Sequence, residues 1–389
     1  MMNIPIFIDS LQWYRDDYSQ TRNKLMMMGV RQEDLSKKKF YEARKEMGDL
    51  FDLFAKNQRL DKDLALRYLE QGLQVAQSDE GHPYWELLFE YWQYTTTAPN
   101  IGDVSKAVRL FVKVSSERYR DCPIKGRIHA ALIDAYVWSD PISYAQEIRE
   151  AISYTVDYVP IEQNTFQRML WAKSRLHYEL QEHELVVDTA SLLLNYADDY
   201  APDQINAHLH LAQAHLALGE YEQAHTNALL AYDIADANNY TDFQRASLTV
   251  QASIHAHLQQ WGSAEVVRYQ MRELDWQGAK WLDLSFDAEL NYWRERNNIW
   301  AKFVVVRFAR QILEYYRKQE QIYWICRSRY QLIEALVAVP VWIRWLVRLA
   351  LDVPSLKEQV QLAQEDATYL KRSEWYLDRL SKIAYPYMD

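Results

Sequence analysis

Three histidines, His177, His215 and His255, recur 38 and 40 residues apart. An imidazole titrates near neutral pH, so one slot filled repeatedly by histidine reads either as a ladder of protonation sites or as a packed, hydrogen-bonded side chain. Metal chemistry is not expected. No two histidines stand three or four apart, and the acid–histidine pairs Glu179/His183 and Glu222/His225 supply too few ligands for a metal site. A second group of interest is Arg307, Arg310 and Arg317, which share one helical stripe with Glu314, while Val305, Phe308, Ile312 and Tyr315 form another. Arginines so spaced suit bidentate capture of a carboxylate or phosphate. Trp300, Tyr316, Tyr323 and Trp324 lie close by in sequence, which brings single-stranded nucleic acid to mind. The formal net charge of −10 argues against it, because nucleic-acid binders present a dominant basic surface.

Enzymatic signatures are absent. The sequence has no Gly-rich phosphate loop, no Gly-x-Ser-x-Gly elbow, no paired-cysteine metal motif and no His-Glu-x-x-His. Neither Cys122 nor Cys326 stands in a nucleophile context. The expectation is a protein without catalytic residues, cofactor or metal.

Charge is unevenly spread. From Leu176 to Gln244 there are twelve acids and no Lys or Arg, whereas from Arg294 to Arg348 eleven Lys and Arg face four acids. Blocks of one sign steer partners and repel wrong ones. They also fit plain solvated faces, a basic protein partner for the acidic middle, or association of one block with the other.

The elements that position these residues are helices. Only 9 Gly and 10 Pro occur in 389 residues, and Gly or Pro interrupts a helix at about 1 or 3 kcal/mol relative to Ala. Small or short apolar residues recur at Ala65, Ala107, Ala145, Val186, Ala224 and Ala264, spaced 42, 38, 41, 38 and 40 residues apart. Pro83, Pro123, Pro160 and Pro202 keep nearly the same period, each where a helical pattern begins. Ile205, Leu209, Ala212, Leu216 and Ala217 follow three–four spacing up to Gly219, and Tyr221, Ala224, Ala228, Ala231 and Tyr232 line the returning helix. A repeat of this length predicts a solenoid, whose units bury a face by stacking on neighbours.

Leu218-Gly-Glu-Tyr-Glu-Gln-Ala224, with Leu211-Ala212 upstream and Ala231 downstream, resembles a tetratricopeptide repeat. Weaker copies carry Leu258, Trp261 and Ala264, then Tyr136 and Ala145, then Ala107 and Phe111, with Trp85 the nearest match to the family's first-helix tryptophan. The copies run longer than the family's repeat, and several lack the turn glycine. The resemblance implies an all-α, tetratricopeptide-like α-solenoid, a right-handed superhelix of antiparallel helix pairs whose first helices line a concave groove. Carried onto this chain, it places Arg127, Asp134, Arg168, Trp171, Arg175, Tyr178, Asn206 and Gln213 in that groove. With Arg307, Arg310 and Arg317, these are the candidate partner-binding residues.

The expected organisation is a helical cap over residues 1–40, about six helix pairs over 41–281, and divergent helical repeats with a cap over 282–389, where the turn signature fades. Residues 1–9 lack the basic and apolar regions of a signal peptide. Two cysteines exclude a disulfide framework and suit a reducing compartment. The most apolar window, Leu336 to Val353, is broken by Pro340, Arg344, Arg348 and Asp352, so no membrane span is expected. The reading is a cytoplasmic, non-enzymatic scaffold or adaptor that holds a protein or peptide segment. A ligand-responsive regulator of the bacterial peptide-sensing type is one alternative. A subunit of a larger assembly, docking through Val341–Val347, is another.

Overall fold

The structure, a computed structural model, describes residues 39–58, 60–78, 83–97, 104–119, 122–159, 161–197, 200–274, 291–296, 298–318, 320–370 and 373–387. Among these there are helices and turns but no strand. The expected cap over 1–40, apart from its last two residues, and the expected boundary at 281/282 lie outside the described residues.

The chain divides into two compact units, Met1–Ser139 with Gln146–Ala172, and Asp140–Ala145 with Lys173–Asp389. In the first, α1 (Lys39–Asn57), α2 (Lys62–Ser78), α3 (Pro83–Thr97), α4 (Val104–Val114) and α5 (Lys125–Ser139) each pack on the next. Most of α6 (Ala145–Tyr158) and the start of α7 (Gln163–Glu179) complete it. Its core is aromatic. Phe51, Phe54, Trp85 and Phe89 are buried together, with Phe54 and Trp92 ring centroids 5.5 Å apart. Gly72 permits the approach of α2 to α3, since a Cβ there would lie 2.3 Å from two Phe89 ring carbons.

The second unit holds the end of α7, then α8 (His183–Tyr196), α9 (Ala201–Leu218), α10 (Tyr221–Ala237), α11 (Thr241–His257) and α12 (Trp261–Glu273). Each of α9 to α12 packs on its predecessor, and α9 also packs on α11. The two members of a pair are buried differently. α11 is covered almost all round, whereas α10 buries one stripe, Ala224, Ala228, Ala231 and Ala235. Alanine lets the facing helices approach closely. Ala217, expected on the inner side, is exposed in the last turn of α9.

The repeat anchors have a common place. Ala65, Ala107, Val186, Ala224 and Ala264 are each the fourth residue of the second helix of a pair, while Ala145 opens α6. All six are buried.

A left-handed turn recurs between helices of the second unit. Gly219 has φ 79°, and Gln181, Gln259 and Glu320 take the same conformation at 62°, 56° and 55°. In each case the next amide reaches back to a carbonyl five residues earlier: Glu182 to His177 at 2.9 Å, Glu220 to His215 at 2.8 Å, Gln260 to His255 at 2.8 Å and Gln321 to Tyr316 at 3.4 Å. This is the long bond of a Schellman turn, and it satisfies a carbonyl left open by the helix end. The turn geometry therefore continues beyond residue 282, although its sequence signature does not. It recurs at Glu320, without glycine to mark it.

The helical stretch 291–296 leads to α13 (Ile299–Lys318), α14 (Ile322–Ala338), α15 (Val341–Leu351), α16 (Leu356–Ala367) and α17 (Ser373–Ala384). Here packing departs from strict succession, as α14 touches α13, α16 and α17. Ser355 starts α16 with a capping box. It accepts the Glu358 amide at 3.1 Å, and the Glu358 carboxylate accepts the Ser355 amide at 2.6 Å. No helix among the described residues is long and apolar enough to cross a membrane.

Candidate functional site

The three recurring histidines serve the turns. Nδ1 of His177 meets the Glu182 carboxylate at 2.6 Å, Nδ1 of His215 meets Glu220 at 2.5 Å, and Nδ1 of His255 meets the Gln260 amide oxygen at 2.8 Å. The residue whose amide closes the turn thus also takes the imidazole. No group of three or more His, Cys, Asp or Glu that could hold a metal occurs among the described residues.

In the first unit, Arg127 donates to both oxygens of Glu162 at 2.6 and 2.8 Å and lies 6.0 Å from the Trp92 ring centroid. Arg168 pairs with Asp134, which is buried. Burial pushes the Asp134 carboxyl up, and the Arg168 charge only partly opposes it. Trp171 packs against Trp138 with centroids 5.5 Å apart. Each of these guanidiniums already has a carboxylate of its own unit.

In the second unit, Asn206 and Gln213 lie half-buried on α9. On α13, Arg307 is exposed beside the Phe308 ring, Arg310 is bonded to Glu314 at 2.6 Å, and Arg317 is exposed near the helix end.

Arg175 and Tyr178 belong to a denser assembly around Glu179. This carboxylate is 5% exposed and accepts from Arg175 at 2.6 Å, Arg327 at 3.1 Å and the Tyr323 hydroxyl at 3.1 Å. Burial alone would raise its pKa, but the Arg327 and Arg175 charges, with Tyr323, outweigh that and hold it below the usual carboxylate range. Burial and the neighbouring Glu179 charge push the Tyr323 hydroxyl well above its ordinary value, so it stays protonated as a donor. Glu179 comes from the acidic block and Arg327 from the basic one. Two blocks of opposite sign meet here inside one unit.

Beside this cluster lies a pocket of about 200 Å³. Its aromatic walls are Tyr178, Tyr323, Tyr330, Trp375 and Tyr376, and three arginines, Arg294, Arg327 and Arg379, line it. Arg294 is matched by Glu334 at 2.9 Å and Arg327 by Glu179. Arg379 instead lies 5.0 Å from the centroids of both Tyr330 and Trp375, and hydrogen-bonds the Tyr330 hydroxyl. The groove positions expected from the resemblance include Tyr178, which lines the pocket, and Arg175, which bonds the lining residue Glu179. They do not include Arg294, Tyr330, Trp375 and Arg379; the only local signal is an aromatic four residues before an arginine, at Tyr323/Arg327 and Trp375/Arg379.

A second feature is the outward face of α15. Val341, Trp342, Trp345, Leu346 and Leu349 are 74, 69, 59, 48 and 77% exposed, while Ile343, Val347 and Leu351 are buried on the other side. Arg344 is turned away to bond the carbonyls of Val337 and Val339, capping the end of α14. Arg348, with its side chain 36% exposed, borders this face and lies 3.9 Å from Glu358. No family model matches the chain, and no curated protein matches it.

Proposed function

We propose that the protein is a non-enzymatic scaffold or adaptor, built of tetratricopeptide-like helix pairs, that holds a protein partner in the cytoplasm. The observation that carries this reading is the outward face of α15. Five large apolar side chains, two of them tryptophan, stand in water on a helix whose other face is already buried. Contiguous apolar surface of that kind marks an interaction site, and tryptophan is enriched among residues that dominate binding energy. The solenoid part of the proposal is supported by the fourth-position anchors and by the packing of α9 on α11. Two buried, unpaired cysteines support a reducing compartment.

The candidate groove arginines Arg127, Arg168 and Arg175 are matched internally, so binding energy on this reading comes from apolar contact more than from arginine–carboxylate pairs. The same α15 face favours the reading as a subunit of a larger assembly. The test is affinity purification from the native host, comparing the wild type with a Trp342→Asp/Trp345→Asp variant. A stoichiometric protein partner is expected with the wild type and is lost with the variant. A partner that also survives gel filtration marks the assembly subunit. Retention of the partner by the variant, or recovery of nucleic acid alone, overturns the proposal.

A further inference from the structure

The pocket beside Glu179 holds more hydrogen-bonding capacity than its own residues use. Glu334 pairs with Arg294, and Glu179 is shared between Arg327 and Arg175, so neither carboxylate is left for Arg379. Arg379 has no carboxylate within ion-pair distance among the described residues; its guanidinium rests on two aromatic rings and one hydroxyl. The side-chain amides of Gln181 and Gln331 also line the cavity and bond to no described residue. Nδ1 of His183, another lining residue, is buried without a hydrogen-bond partner.

The shape and the walls restrict the occupant. About 200 Å³ is below the roughly 300–1,000 Å³ of pockets for drug-sized ligands, so the occupant is the size of one ring with a short arm. Tyr178, Tyr330 and Trp375 bring aromatic rings to the wall, and an occupant's ring can pack against them. Arg379 offers a planar fork that fits a carboxylate, held ready by its stacking on Trp375.

We propose that this pocket binds an aromatic group carrying a single carboxylate, with Arg379 meeting the carboxylate and Trp375 and Tyr330 flanking the ring. The source is either a free aromatic acid or the C-terminal aromatic residue of a peptide. The site is separate from the α15 face, so a Trp342→Asp/Trp345→Asp variant keeps it.

Calorimetry on the full chain tests this with 3-phenylpropionate and its uncharged amide, and with Gly-Gly-Phe as free acid and as C-terminal amide. An acid is expected to bind at least about tenfold tighter than its amide, and Arg379→Gln is expected to remove that difference. Gln331→Glu, which places a negative charge in the cavity and leaves Arg379 on its rings, is expected to weaken binding as strongly. Lys357→Gln, on exposed α16 surface, leaves it unchanged. Binding of phenylpropionate assigns the site to free acids, and binding of the peptide acid alone assigns it to chain ends. Equal binding of acid and amide, binding that survives both pocket substitutions, or no binding by any of the four probes overturns the proposal.

Discussion

Replacing Glu179 by glutamine removes one charge and little volume from a buried ion cluster in the second unit. Arg175, Arg327 and Tyr323 all donate to this carboxylate, which is 5% exposed. Breaking a buried pair costs roughly 3–5 kcal/mol when the surviving charge stays buried. Here the arginine side chains are 24% and 28% exposed and regain some water, which lowers the expected loss to about 2–4 kcal/mol. At about 2–4 °C per kcal/mol for a unit of this size, the midpoint should fall by roughly 4–16 °C near neutral pH. The pH dependence has a definite sign. Glu179 is held below the usual carboxylate range in the folded chain, and an unfolded glutamate titrates near about 4.3. Its contribution is therefore complete above about pH 4.3 and is lost as pH falls through the lower folded value. Urea unfolding of wild type and Glu179→Gln, followed from about pH 7 down to about pH 3, should give a gap that is flat at first and then closes. Equal stability near neutral pH would refute the reasoning, as would a gap that persists unchanged in acid.

Other substitutions separate packing from backbone effects. Gly72→Ala should destabilise by about 1–3 kcal/mol in chemical denaturation, because the new methyl meets the buried Phe89 ring, and Phe89→Leu should relieve much of that loss. Gly219→Ala meets no atom within 4 Å, so its cost of about 1 kcal/mol is that of the left-handed turn alone. The reverse change at the equivalent turn, Gln259→Gly, should be neutral or stabilising by up to about 1 kcal/mol. Ser355→Ala should lose the capping box of α16 and about 0.5–2 kcal/mol, visible as a lower denaturant midpoint with the slope unchanged.

The helices, the length of the repeat and the small residues that anchor it were legible in the sequence. Local propensity and a three–four pattern decide where a chain becomes helical, and a position that needs close approach admits only a short side chain. All six anchors are buried, five at one helical position. The turns were only half legible. Gly219 announces a left-handed residue, whereas Gln181, Gln259 and Glu320 adopt that conformation under the pull of the hydrogen bonds closing the turn. The histidine ladder was visible as a spacing. That each imidazole bonds the side chain five residues on is a matter of turn geometry.

Only tertiary structure brought the candidate site together. Glu179 and Arg327 are 148 residues apart, and Trp375 and Arg379 come from another helix again. Periodicity reports which face of a helix is apolar, but not which distant helix covers it. Which arginines find a carboxylate likewise depends on the fold: Arg127, Arg168 and Arg175 are matched where they stand, and Arg379 is left on its aromatic rings. An ion pair is decided by distances of a few ångströms between side chains, and the order of residues alone does not contain them.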